Sequence, residues 1–182
     1  AALWPFAEKG IPIVGLEPSC LLTLRDEFLV MNLGPQALAI SDQAMLFEEF
    51  LAREAAAGQL ETLKARLQAT DQAILLHGHC HQKAFGAISP VMDVLKLIPG
   101  AKPELIESSC CGMAGSFGYE ASHYEVSMQM AELSLLPAVR AQPDAMVVAD
   151  GTSCRHQIKD GAQREAVHVA VLLARQLGSA QP

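Results

Sequence analysis

AILLHGHCH, residues 73–81, is an apolar run of strand length that stops at histidine, glycine and cysteine. A short apolar run bounded by polar and turn-forming residues reads as a buried strand. The same order recurs along the chain. IPIVGL at 11–16 leads to Cys20, KPELIE at 102–107 leads to Cys110 and Cys111, and AMVVA at 145–149 leads to Cys154. Segments of helical character lie between these runs. Strands separated by helices form βα units, so the fold class is α/β, with a mainly parallel sheet and flanking helices. Ligands of such sheets bind outside the carboxyl ends of the strands. All five thiols are therefore expected at one edge of the sheet.

The helical segments are read from spacing and caps. AALWPFAEKG and the stretch from Leu21 to Leu33 look helical, and Pro35 interrupts. SDQAMLFEEFLAREAAAG reads as one helix, capped by Ser41 or Asp42 and ended by Gly58, with Ala44, Phe47, Phe50 and Leu51 on its apolar face. Leu60–Leu67 is shorter and charged, and is expected to be strand in part. Further helices are expected over Lys83 to Leu97, over Ser122 to Arg140 with SHYE as a capping box, and over Arg164–Leu177.

Composition excludes several classes. Of the 182 residues 51% are hydrophobic and 18% charged, which suits a buried core and not a disordered chain. The net charge of −7, without a basic stripe, argues against nucleic acid as a partner. No apolar run approaches the length of a transmembrane segment. The first residues lack the basic flank and apolar run of a signal peptide and lack an initiator Met, so an internal piece of a longer polypeptide is expected. Five cysteines without a secretion signal read as reduced thiols in the cytoplasm, with peripheral membrane attachment as an alternative.

Thiolates are soft ligands that select iron–sulfur clusters, zinc or Cu(I). Cys80, the pair Cys110 and Cys111, and Cys154 supply four. Their long spacing resembles neither a zinc ribbon nor a ferredoxin. An adjacent pair is awkward on one tetrahedral ion and natural on a cluster, where neighbouring thiolates take different irons. Gly112, Gly115 and Gly118 follow the pair and let backbone N–H groups approach an anion. Cys154 is expected near a helix start, where the dipole favours a thiolate. The plainer alternatives are cysteines that only pack, a zinc site, and a redox-active vicinal disulfide.

His77, His79 and His81 alternate through HGHCH. On an extended chain they share one face and Cys80 takes the other. His79 and His81, beside Cys80, are the candidate nitrogen ligands, and His156 is a weaker one. Lys83 and Arg155 flank cysteines, where a positive charge lowers a thiol pKa or holds an acidic substrate. Glu17, at a strand end before Pro18, reads as a solvated carboxylate. There is also a faint internal repeat: Val14-Gly15-Leu16-Glu17-Pro18-Ser19-Cys20 resembles Val148-Ala149-Asp150-Gly151-Thr152-Ser153-Cys154.

HGHCH at 77–81, SSCCGMAGSFGYE at 108–120 and DGTSCRHQI at 150–158 together resemble the cysteine-rich CCG domain. That family includes a cysteine-rich subunit of heterodisulfide reductase, iron–sulfur subunits of glycolate oxidase and anaerobic glycerol-3-phosphate dehydrogenase, and FAD-linked oxidases of D-2-hydroxy acids. CCGMAGSFGYE and GLEPSCLLTLRDEF look most like the FAD-linked oxidases. The resemblance implies a tandem architecture with the first copy truncated: residues 1–34 as the end of the first copy and residues 35–182 as the second. It implies that Cys80, Cys110, Cys111 and Cys154 bind an iron–sulfur cluster of the 4Fe–4S type, with Cys20 as the last ligand of the first copy. One departure stands out: where the family has C-x-x-C, this chain has Gly151-Thr152-Ser153-Cys154, so a histidine ligand such as His79 or His81 gains weight. The function implied is an electron-transfer domain of an oxidoreductase that acts on a 2-hydroxy acid. Its partners would be the flavin (FAD) and ferredoxin-like parts of the same polypeptide or complex. The alternatives are a cluster-based thiol or disulfide reductase module and a structural zinc-binding interaction domain.

Overall fold

The structure, a computed structural model, describes residues 2–178. Its centre is a four-stranded sheet in which every pairing is parallel. We number the strands in chain order. β1 (Ile13–Gly15) and β2 (Ala44–Leu46) form a separate parallel pair. β3 (Ile74–Leu76), β4 (Pro103–Leu105), β5 (Met146–Val148) and β6 (Ala166–Val167) form the main sheet, in the order β4-β3-β5-β6. From β3 the chain steps out to β4 on one side, then returns to β5 on the other. The reversal lies between β3 and β5, and in open α/β sheets such a crevice is where ligands bind.

Each side of the sheet is covered by helices, as a parallel sheet requires. Ile74, Leu76 and Val148 pack with Leu51, Val91, Val94, Leu95 and Leu172, from the helices Phe47–Ala56, Ile88–Leu95 and Val169–Gln176. Leu75, Val147 and Ala149 alternate to the other face. There they join Leu135, Val139 and Ile158 from the helices Leu135–Ala141 and Thr152–Ala162, together with Cys111 and Cys154. All three β3 residues are buried, which explains why that strand reads as an unbroken apolar run.

The four strands read from the sequence are present, and the expected α/β architecture holds. Several helix boundaries differ. The stretch expected as one helix from Ser41 to Gly58 is divided: the helix Pro35–Gln43 ends, Ala44–Leu46 forms β2 with Ala44 and Leu46 buried, and a new helix runs Phe47–Ala56. Pro35 opens a helix instead of interrupting one, since its missing N–H costs nothing in the first turn. Residues 61–66 are helical with no strand character. The expected Lys83–Leu97 helix begins earlier, at Cys80, and breaks after Ala84 before resuming at Ile88. Residues 122–140 hold two helices, Tyr124–Glu132 and Leu135–Ala141, and the predicted SHYE cap makes no side-chain bond. The C-terminal segment starts with β6 before its helix. No described helix is long and apolar enough to cross a membrane.

The β1–β2 pair packs its helix Pro18–Leu22 against the main body through Leu21, Leu22, Ala44, Leu46 and Ala87. Two polar links hold it to the main sheet: His168 Nε2 lies 2.8 Å from the Leu16 carbonyl oxygen, and Glu17 accepts from Thr152.

Candidate metal centre

Three loops, each leaving the carboxyl end of a main-sheet strand, converge. The loop after β3 carries His77, His79 and Cys80; that after β4 carries Cys110 and Cys111; that after β5 carries Cys154. Cys111 and Cys154 are buried, Cys110 is half-buried and Cys80 is exposed. Cys111 Sγ and Cys154 Sγ are 3.3 Å apart. Cys110 is coupled electrostatically to Cys111 on one side and to Cys80 on the other.

The loops are fixed by groups the sequence did not advertise. Gly151 stands before the helix of Cys154, and a Cβ there would run into the His79 ring and lie 3.2 Å from Cys154 Sγ. Glu17 reaches across from the β1 segment. It accepts from Thr152 N at 2.9 Å and Thr152 Oγ1 at 2.8 Å, and so caps the helix that carries Cys154. Burial alone would raise its pKa, but these bonds and one from Ser19 hold it below the usual carboxylate value. Arg155 donates to the carbonyls of Ala149 and Asp150, and Lys83 to those of Ser108 and Ser109. Both cations thus clamp loops of the site, and Lys83 also acts electrostatically on Cys154, Cys80 and Cys110. His156 pairs with Tyr119 Oη at 2.6 Å on the surface.

Positive φ angles at Gly112 (92°), Ala114 (39°) and Gly115 (68°) bend the loop after the cysteine pair into a cup. Gly112 N lies 3.3 Å from Cys110 Sγ, and the amides of Met113 and Ala114 also face the pair. Backbone N–H groups gathered in this way cradle anionic sulfur. Gly112 cannot be replaced freely, because a Cβ there would meet the Ser127 carbonyl oxygen at a φ that L residues avoid. Gly112→Ala is expected to cost about 2–4 kcal/mol. Urea unfolding of the variant checks this, and an unchanged midpoint would contradict it.

The thiols divide electrostatically. The neighbouring thiols of Cys111 and Cys80 hold Cys110 far below an ordinary thiol pKa. Contact with Cys111, helped by His77, lowers Cys154 to about 5, against the opposing effect of burial. Cys80 and Cys111 are pushed up by these same neighbours and by burial. Thiols divided in this way, two lowered and two raised, form a donor set suited to a cationic centre. A cavity of about 350 Å³ adjoins it, lined by His79, Cys80, His81, Cys110, Cys111 and Ser19.

Four of the predicted thiols therefore come together, and His79 and His81 line the cavity. His79 caps the helix Cys80–Ala84 by accepting His81 N–H at 3.2 Å, and its pKa is lowered chiefly by burial. Cys20 is exposed, and Ser19 is the residue of its helix that reaches the cavity. His77, which the sequence did not single out from its neighbours, is buried beside Cys111 and Cys154 with ligand atoms all within 4.8 Å of one another. Strand alternation carries the signal for it: His77 follows Leu75 by two residues and lies on the same sheet face.

Comparison with known proteins gives relatives over most of the chain. It is 29% identical over 170 residues to a subunit of the anaerobic glycerol-3-phosphate dehydrogenase of Escherichia coli, covering 93% of this chain and 41% of that protein. It is 33% identical over 155 residues to the D-2-hydroxyglutarate dehydrogenase of Escherichia coli, covering 84% of this chain and 14% of that protein. It is 32% identical over 120 residues to a protein of Bacillus subtilis named as a probable glycolate oxidase iron-sulfur subunit, covering 60% of this chain and 26% of that protein. The chain thus spans well under half the length of these relatives. No family model matches it, and no solved structure matches significantly.

Proposed function

We propose that this chain is an iron–sulfur electron-transfer module of a flavin-linked oxidoreductase acting on a 2-hydroxy acid. The observation that carries the reading is the convergence of Cys80, Cys110, Cys111 and Cys154 from three strand ends onto one electrostatically coupled sulfur set, with backbone amides turned toward it. The donor set fits a cluster better than a single ion: Cys110 and Cys111 are adjacent, yet only Cys111 contacts Cys154 while Cys110 turns to Cys80. Bound there, a cluster of the 4Fe–4S type would supply a one-electron donor and acceptor. The chain's own residues supply the thiolates, the amide cup, and the buried wall formed by Leu75, Ile106 and Met113 that keeps water from one side. The names of the relatives support the hydroxy-acid and iron–sulfur context, since they are a glycerol-3-phosphate dehydrogenase subunit, hydroxyglutarate dehydrogenases and an iron-sulfur subunit of a probable glycolate oxidase.

The same reading takes residues 13–22 and 146–162 as two copies of one unit. In each a parallel strand leads to a helix whose third residue is the cysteine: Cys20 in Pro18–Leu22 and Cys154 in Thr152–Ala162. That equivalence supports a tandem arrangement with residues 1–34 in a first copy and 35–182 in a second.

The test is iron and acid-labile sulfide content of protein purified without oxygen. Iron with matching sulfide, and a visible charge-transfer spectrum that bleaches on reduction, is the expected result. Zinc without sulfide would replace this reading with a structural metal site.

A further inference from the structure

His77 is 1% exposed, and its two ring nitrogens have different surroundings. Nδ1 lies 2.9 Å from Ser108 Oγ. That hydroxyl directs its own hydrogen at the Ile106 carbonyl oxygen, 3.5 Å away, and receives Lys83 Nζ at 3.4 Å. A hydroxyl has one hydrogen and two lone pairs. Lys83 faces Ser108 Oγ from one side, and the His77 ring meets it from another. Nδ1 is thus engaged by Ser108, and Nε2 is the ring nitrogen left for other partners.

Nε2 is buried and meets no oxygen or nitrogen partner, while His77 acts on the Cys154 thiol and helps to lower its pKa. An interior imidazole nitrogen left unpaired is costly, and such orphans call for an explanation. The surroundings offer one: a ring nitrogen of His77, Cys111 Sγ and Cys154 Sγ all lie within 4.8 Å of one another. With Nδ1 engaged by Ser108, Nε2 is the nitrogen available to that set. A metal-binding histidine characteristically has its other N–H held by a second protein group, which fixes the tautomer and the ring plane. Ser108 engages Nδ1 here, and Lys83 in turn fixes Ser108 and its loop.

The other histidines of the HGHCH segment are placed differently. His79 Nδ1 is occupied by His81 N–H. His81 Nδ1 also lacks a partner, but His81 stands on the cavity wall, outside the group formed with Cys111 and Cys154.

We propose that His77 Nε2 is a ligand of the centre held by the four cysteines, giving it mixed sulfur and nitrogen coordination. This rests on the iron–sulfur reading above. A neutral imidazole in place of an anionic thiolate leaves the centre less negative, which raises its reduction potential.

The experiment uses the full chain with its histidines labelled with ¹⁵N, purified without oxygen, and first assayed for iron and sulfide. The paramagnetic state is then examined by pulsed EPR. Strong coupling to a directly bound histidine nitrogen is expected, retained in His79→Ala and His81→Ala and lost in His77→Ala. Because His77→Ala leaves a void and risks losing the centre altogether, His77→Cys is the second variant. It should keep iron and sulfide, lose the nitrogen coupling, and shift the reduction potential downward. Iron and sulfide present with no strong nitrogen coupling, or with coupling unchanged in His77→Cys, would overturn the ligand assignment alone. Absence of sulfide-bound iron in the wild-type protein would overturn the iron–sulfur reading, and this assignment with it.

Discussion

Replacing both Cys110 and Cys111 with serine is expected to lower bound iron and acid-labile sulfide to less than about a tenth of the wild-type content, since even outer partners of a metal site are worth tenfold or more. The pair is the junction of the sulfur set. Cys110 is coupled to Cys80 and Cys111 contacts Cys154, so the double variant severs both halves at once. Serine oxygen is a harder and far less acidic donor than thiol sulfur, and it does not bind iron–sulfur centres comparably. The fold should survive at a cost. Cys111 is 4% exposed among Leu75, Ile106, Met113 and Ile158, and a buried hydroxyl there is destabilising by about 1–3 kcal/mol. Circular dichroism and urea unfolding separate that cost from loss of the centre. Cys20→Ser is the control, because Cys20 is exposed and makes no bond to the four. Metal content unchanged in the double variant would remove Cys110 and Cys111 from the site.

The central strands were legible because a parallel sheet covered on both faces makes β3 and β5 short, wholly apolar runs, and because each run ends in a residue no core would choose. AILL before HGHCH and AMVVA before DGTSC are of this kind, and both strands sit beside the reversal in strand order where the site forms. β2 was hidden for the opposite reason. Ala44–Leu46 is three residues long, its neighbours have high helix propensity, and Ala44, Phe47 and Leu51 happen to match a helical stripe. Only pairing with β1, a contact 31 residues away, makes it a strand. β6 was lost in the same way, with two residues ahead of a strongly apolar helix.

At the site, the thiols were legible and their supports were not. Glu17, Ser108 and Gln82 act through contacts spanning 135, 31 and 68 residues, which no local pattern encodes. Among the histidines, the alternation argument failed because the extended chain stops at His79, which caps a helix starting at Cys80. His81 therefore lies in a helix, and His77 alone continues the strand's inner face.

Glu48→Gln is expected to stabilise the protein by an amount that grows with pH. Glu48 is 0% exposed at the start of the helix Phe47–Ala56, and neither carboxylate oxygen has a hydrogen-bond partner. It faces Asp150 and His168, whose Nε2 is 3.8 Å from Oε1, and Glu49 lies beside it in sequence. His168 does not offset the charge. Its Nδ1 accepts Ala170 N–H at 3.0 Å, so the ring hydrogen is on Nε2, facing the Leu16 carbonyl oxygen. The ring is then neutral, with no lone pair left for a cation. Asp150 is committed to Val169 N–H and Gln82 Nε2. Burial first, then the charge on Asp150, push Glu48 up to about 9 from an ordinary value of 4.5.

A carboxyl whose folded pKa is raised contributes its full stability below the unfolded pKa and loses it as pH rises through the folded one. The loss here runs from about pH 4.5 to about pH 9, at roughly 1.4 kcal/mol per pH unit. Glutamine keeps the shape and neutrality of the protonated acid and has nothing to lose. The two proteins should therefore match near pH 5, and the variant should lead by about 2–4 kcal/mol near pH 7 and by more at pH 8. Urea midpoints measured across that range test this, and parallel pH profiles would show that Glu48 is ionised or hydrated in the folded chain. The effect bears on the metal centre because Asp150 opens the loop to Cys154 and its partner Gln82 lies in the helix that carries Cys80. Ionising Glu48 sets a second negative charge against the residue that ties those two cysteine-bearing segments together. Loosening of the centre at alkaline pH in the wild type, but not in Glu48→Gln, follows from the same charge.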